Sequence, residues 1–246
     1  MRFIKNILGR IFALWAAIVF ISTMLIVFIP MWVIGLWKEP KRSYIMHVIY
    51  RNWMKTFFVL SGIRLKVFGR KNFIEGENYI VVYNHNSMID VPVSVPFMPG
   101  ANKTIAKVEL SKIPIFGMLY KRGSVLVDRK SEDSRKVSYL KMKEVLQWGL
   151  HMCIYPEGTR NKSSQPLQRF HDGAFRLSVD SGKSILPALI FNTTTVLPRK
   201  TFFFWPAKVE LHYLKPVPPA NFSSVEKLKD HVFQVMKEYY VENKKS

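Results

Sequence analysis

His85 and Asp90 lie five positions apart in the stretch "NHNSMIDVP", directly after the uncharged run "YIVVY". An imidazole bonded to a carboxylate is held in one tautomer, and its second nitrogen is left to act as a base. A positioned base contributes roughly 10²–10⁴ in rate. On one unbroken helix a five-residue step turns two side chains about 140° apart. The two can therefore meet only where His85 closes a strand and Asp90 opens the helix that follows. Taken alone, the pattern describes a polar turn tied down by Asn84 and His85 equally well, and both readings stay open.

A second cluster, "YPEGTR" at residues 155–160, also follows an apolar run. Gly158 lets the backbone turn, and the planar guanidinium of Arg160 matches a phosphate. Glu157 cannot attract an anion, so it is expected to pair with a base or to hold the loop. The plainer alternative is an ordinary β-turn with a solvated arginine. "GSVLVDR" ends in Asp128 and Arg129, a surface ion pair worth little by itself. Beside Arg160, Arg129 becomes a second candidate phosphate contact, and Lys107 in "AKVEL" a third and weaker one. Cys153 lies in an apolar run and reads as an inert buried thiol. Ser87 is too close to His85 in sequence to be posed for attack, so no covalent mechanism is expected. The six histidines, at 47, 85, 151, 171, 212 and 231, have no metal-ligand spacing, and one cysteine adds none. No metal site is expected.

Strands and helices must position these groups. Seven short runs read as strands: "RLKVFG", "NYIVVYNH", "KTIAKVEL", "GSVLVDR", "HMCIYPEG", "SILPALIFN" and "AKVELHYLKPV". Residues 132–148 have helical spacing, with Val137, Leu140, Val145 and Trp148 expected to face the core. A shorter helix is expected at 173–180. Ser223 and Glu226 read as a capping box opening a last helix through Tyr240. Alternating strands and helices predict one α/β domain at 62–246, its sheet mixed or largely parallel and flanked by helices. Functional groups then belong on loops at strand ends.

Residues 11–37 carry no charge. A straight helix of that length spans roughly 40 Å, against about 30 Å of bilayer hydrocarbon. A cleaved signal peptide has a shorter apolar region and a small-residue cleavage site, so a retained membrane element is expected. Pro30 should kink or end a helix inside the run. Two arrangements of residues 1–61 stay open. One is a single span. The other is a helical hairpin dipping into one leaflet, its second arm running through "YIMHVIYRNWMKTFFVLSG". Basic residues on both flanks, with Trp15, Trp32, Trp37 and Trp53 as interfacial anchors, favour the hairpin. The formal charge of +20, from 37 Lys+Arg against 17 Asp+Glu, suits an anionic membrane surface. A nucleic-acid partner is not expected, because no binding fold for one is recognisable.

Together these segments resemble the 1-acyl-sn-glycerol-3-phosphate acyltransferases (lysophosphatidic acid acyltransferases) among the glycerolipid acyltransferases. That family's NHxxxxD motif is matched by Asn84, His85 and Asp90. A glycine, an apolar run and Asp-Arg are matched by Gly123, Asp128 and Arg129. EGTR is matched in full by Glu157, Gly158, Thr159 and Arg160, and a proline-bearing strand loosely by Pro187. The likeness runs from about residue 63 to residue 216. It implies transfer of an acyl group from a thioester to the sn-2 hydroxyl of lysophosphatidic acid, giving phosphatidic acid. The donor would be acyl-CoA or acyl carrier protein, and no metal or resident cofactor would be needed. His85 would be the base and Asp90 its orienting acid. Arg160, with Arg129 and Lys107, would hold the acceptor phosphate. Asn84, Glu157, Gly158 and Thr159 would shape the site, and backbone N–H groups of Asn86 and Ser87 would meet the oxyanion. The site would lie on the cytoplasmic face of a membrane. Sibling acceptors (glycerol 3-phosphate, another lysophospholipid, lyso-ornithine lipid) stay open.

Overall fold

The structure, a computed structural model, describes residues 2–199 and 201–244. Two helices come first, α1 (Arg2–Ile34) and α2 (Lys41–Ser61). The remainder alternates: β1 (Arg64–Phe68), β2 (Ile80–Tyr83), α3 (Asp90–Phe97), β3 (Asn102–Lys107), α4 (Phe116–Gly123), β4 (Ser124–Val127), α5 (Glu132–Gln147) and β5 (His151–Ile154). There follow α6 (Gly173–Ser181), β6 (Ile185–Phe191), α7 (Thr193–Val196), β7 (Lys208–Tyr213) and α8 (Val225–Asn243).

All seven strands join one sheet in the order β1-β7-β6-β2-β5-β3-β4. Every pairing is parallel except β6 with β7. Helices cover both faces, so the central strands are apolar throughout and still alternate in direction. Along β2, Val81 and Tyr83 enter the core shared with α1, α2 and α3, while Ile80 and Val82 enter the core shared with α5, α6 and α8.

Several expectations are corrected in detail. The third strand stops at Lys107, and residues 108–112 form a 3₁₀ turn. On α5 the buried positions are Ser138, Met142, Val145 and Leu146, whereas Val137 is 50% and Leu140 65% exposed. The apolar residues there were too few to mark the inward face. The cap of α8 is Ser224, whose hydroxyl accepts from the N–H of Lys227 at 3.2 Å. Glu226 therefore falls one position short of a capping box.

α1 and α2 run antiparallel. Trp15 Nε1 donates to the Leu60 carbonyl, and Trp53 Nε1 donates to Thr23 Oγ1 at 2.9 Å. Phe20 packs on both Trp53 and Phe57. Trp53 is thus buried between the helices rather than placed at an interface. α1 continues through Pro30 to Ile34. The sheet domain grips α1 near both ends. Phe204 N donates to the Gly9 carbonyl, Trp205 packs edge-on against Phe12, and any side chain at position 9 would collide with the ring of Phe203. Some 22 residues further on, Arg122 donates to the carbonyls of Met31 and Trp32. Beyond the end of α1, Glu39 pairs with Lys103 of β3 at 2.8 Å. Between those grips the outer face of α1 stays bare: its most apolar 18-residue stretch is only 17% buried. Burying one Leu or Ile side chain is worth about 1.5–3 kcal/mol. A row such as Ile11, Leu14, Ile18, Ile21, Leu25 and Ile29 therefore calls for an apolar surrounding.

Candidate active site

β2 and β5 are neighbouring parallel strands at the centre of the sheet, with Val82 beside Ile154. Their C-terminal ends therefore deliver Asn84–His85 and residues 155–160 to the same edge, where open α/β sheets carry ligands. Asn84 is fully buried and extends the strand pairing with its side chain. Its Nδ2 donates to the Ile190 carbonyl at 3.0 Å, and its Oδ1 accepts from Ile190 N at 2.7 Å.

The turn then brings His85 back to the first residue of α3. His85 Nδ1 donates to Asp90 Oδ2 at 2.8 Å. The same oxygen accepts from Asn86 N at 2.6 Å and Ser87 N at 2.7 Å. These three donors, with the positive end of α3, hold a buried carboxylate beneath the ring. The proposed oxyanion donors are therefore already spent: the N–H groups of Asn86 and Ser87 point at Asp90. Ser87 Oγ is committed as well, donating to the Leu197 carbonyl at 2.7 Å.

The second turn is a tight one. Gly158 N donates to the Tyr155 carbonyl at 3.0 Å across Pro156 and Glu157. Gly158 sits at φ 71°, and a Cβ there would lie 2.8 Å from the His171 ring. Glu157 holds the loop. Its Oε1 accepts from His85 N at 2.8 Å, and its Oε2 from Gln168 N at 2.9 Å. Among the described residues it meets no cationic base. Burial pushes its carboxyl up to about 7, against the two backbone bonds that lower it, with the charge of Asp90 adding to the rise. Asn161 N completes the stitching by donating to the His85 carbonyl at 2.6 Å.

Three residues at this edge, Tyr155, Leu197 and Arg199, carried no signal in the sequence. Tyr155 packs its ring against the imidazole with centroids 4.4 Å apart, and its hydroxyl bonds Ser94 Oγ at 2.6 Å. Leu197 and Arg199 arrive from a loop almost forty residues downstream of Arg160. They line a cavity of about 340 Å³ together with Met88, Arg160, Pro198, Thr201 and Phe202. Among the described residues, nothing pairs with the Arg160 guanidinium. Arg129 does not line this cavity. It donates to the Gly158 carbonyl and braces the turn, and Asp128 instead accepts from Lys130 N, so the expected Asp128–Arg129 pair is replaced. Lys107 is exposed at the end of β3 and does not line the cavity either. Thr159 is exposed. Cys153 is fully buried, and burial pushes its thiol up to about 12, which leaves it unreactive.

Comparison with known proteins shows the family. The sequence pattern defining the Acyltransferase family matches residues 64–191, just over half of the chain and both turns. A 1-acyl-sn-glycerol-3-phosphate acyltransferase of Helicobacter pylori is 32% identical over 185 residues, covering 74% of this chain and 76% of that one. The human 1-acyl-sn-glycerol-3-phosphate acyltransferase alpha is 31% identical over 161 residues, covering 65% and 56%. The crystal structure of the 1-acyl-sn-glycerophosphate (LPA) acyltransferase PlsC of Thermotoga maritima superposes with a TM-score of 0.78 at 27% identity, over 100% of both chains. The seven-stranded, mostly parallel sheet with its two leading helices thus has its counterpart in a known enzyme structure, and the chain belongs to the Acyltransferase family, alongside the 1-acyl-sn-glycerol-3-phosphate acyltransferases.

Proposed function

We propose that this protein transfers a fatty acyl group from a thioester, acyl-CoA or acyl carrier protein, to the sn-2 hydroxyl of 1-acyl-sn-glycerol 3-phosphate, forming phosphatidic acid. The observation that carries the reading is the 2.8 Å bond from His85 Nδ1 to Asp90 Oδ2, which leaves Nε2 as the basic nitrogen. His85 Nε2 takes the proton of the acceptor hydroxyl as its oxygen attacks the thioester carbonyl. The carbon–sulfur bond of the tetrahedral intermediate then breaks, and the imidazolium returns the proton to the departing thiolate. Asp90 fixes the ring and faces the positive charge while it lasts. Tyr155 turns a π-face to the same charge. Arg160 supplies a planar cation for the acceptor phosphate. Acceptor oxygen attacks the thioester directly, so neither an enzyme nucleophile nor a resident cofactor takes part.

The helical hairpin fits this chemistry as a monotopic anchor. A helix crossing the bilayer carries one end roughly 30 Å away from the domain, whereas α1 is gripped at Gly9 and again at Met31. These two grips support α1 and α2 lying along one leaflet with their bare face in the lipid, and the domain is proposed to sit on the cytoplasmic side. Acceptor and product both reside in that layer.

The deciding experiment offers purified protein in phospholipid vesicles lysophosphatidic acid together with acyl-CoA and acyl carrier protein bearing chains of different mass. Phosphatidic acid with a new sn-2 chain is the expected product by mass spectrometry, and the chain's mass names the donor. Absence of that product, with another lyso-lipid acylated instead, would remove the assignment.

A further inference from the structure

Arg199 lies outside all the matched motifs, yet the fold sets it beside Arg160 on the wall of the same cavity of about 340 Å³. That volume is at the lower end of the roughly 300–1,000 Å³ occupied by ligand pockets. Two guanidiniums facing one cavity repel each other, and the described residues lining it include no acid. The nearest carboxylate of the turn, Glu157, is directed away to His85 N and Gln168 N. Arg199 spends one N–H on the Asn161 carbonyl, and Arg160 spends none among the described residues. A guanidinium has five N–H donors, so most of this capacity is unused. Among the other described lining residues, Met88, Leu197, Pro198 and Phe202 are apolar and Thr201 adds a hydroxyl. Paired cations beside an apolar wall suit a molecule with a doubly charged phosphate at one end and hydrocarbon close behind it.

The position of the loop bears on which phosphate this is. Four residues after Arg199 the chain reaches Phe203, Phe204 and Trp205, which clasp α1 at Gly9 and Phe12. The same loop is tied to the histidine turn through the Leu197 carbonyl and Ser87 Oγ. It thus joins the lipid-facing helix to the catalytic edge. We infer that Arg199 is a second phosphate ligand, which together with Arg160 forms a two-guanidinium seat for the phosphomonoester of the lipid acceptor rather than for the phosphates of a soluble donor. This rests on the acyltransferase reading above and names a specificity-determining residue for it.

The test combines kinetics with binding. In Arg199→Gln, which keeps an N–H for the Asn161 carbonyl but loses the charge, the acceptor KM rises roughly ten-fold while the KM for the acyl thioester is unchanged. Arg199→Lys recovers part of the loss. Direct binding of lysophosphatidic acid to His85→Ala protein, with and without Arg199→Gln, weakens by a similar factor and needs no turnover. Its difference from 1-monoacylglycerol, which lacks the phosphate, shrinks as well. If wild-type protein makes no phosphatidic acid, the proposed reaction falls, and the binding comparison still judges Arg199. If lysophosphatidic acid binds equally well with either residue at 199, or if the donor KM rises instead, the inference is overturned.

Discussion

Replacing Glu157 by Gln tests how the two turns are held together. The carboxylate uses one oxygen for His85 N at 2.8 Å and the other for Gln168 N at 2.9 Å, and the residue is only 3% exposed. Even as the neutral acid that prevails at pH 5, the carboxyl keeps a lone pair on each oxygen, whereas an amide of the same shape has a single acceptor oxygen, so one of these N–H groups must face an NH₂. A buried donor left without an acceptor costs about 1–3 kcal/mol. For a chain of this size that corresponds to roughly 2–12 °C in melting temperature. The penalty must also depend on pH. Burial raises the Glu157 carboxyl from its ordinary 4.5 to about 7, so the folded state binds the proton more tightly than the unfolded state. Its contribution to stability is therefore fully present below about 4.5 and is lost as pH climbs through about 7. A rise of that size is worth about 3 kcal/mol, and Gln, which does not ionise, escapes it. Thermal unfolding in detergent should show the variant well below wild type at pH 5 and close to it at pH 8. Identical melting at pH 5 would refute the hydrogen-bond account. A gap that does not change between pH 5 and pH 8 would refute the buried titration.

Asp90→Asn should lower kcat by about 10²–10⁴ and move acceptor KM by only a few-fold, because the ring loses its anionic partner while the phosphate contacts proposed above stay; steady-state kinetics with saturating donor decides it. Tyr155→Leu, which removes the ring from beneath the imidazolium, should cost about 2–30-fold in kcat, from the 0.5–2 kcal/mol of a cation–π contact. Tyr155→Phe keeps the ring and should cost less than Leu, so equal losses would point to the Ser94 bond instead. Tags at the two ends of the chain should be equally open to protease from the outside of sealed vesicles, and protection of one tag alone would contradict the hairpin.

The parts legible in the sequence were those written locally. Each of the seven strands is a short run, apolar as in β2 and β6 or alternating as in β1 and β7, and the paired spacing of His85 and Asp90 carries its own geometric condition. What lay beyond reach was set by pairing between distant segments. β6 enters between β2 and β7, and this brings Leu197 and Arg199 to the edge that β2 and β5 define. No local pattern around residue 199 announces that placement. The fate of the Asn86 and Ser87 N–H groups failed for another reason: a carboxylate three or four residues ahead competes for them, and it is closer than any substrate. The inward face of α5 was misjudged because Ser138 is buried where an apolar residue is the rule.

The two-point attachment of α1 has a consequence for how the enzyme should be measured. Gly9 and Met31 are roughly 33 Å apart along the helix, so the domain cannot pivot about a single hinge on the membrane. With α1 lying in one leaflet, as proposed above, the catalytic edge would travel at one height, parallel to that leaflet. Encounters with acceptor then occur in a plane, and their frequency follows the number of acceptor molecules per unit of surface. Diluting a fixed amount of lysophosphatidic acid with inert phospholipid slows the reaction at constant bulk concentration, whereas adding buffer leaves it alone. Acceptor constants for this protein are therefore properly expressed as mole fractions of the bilayer.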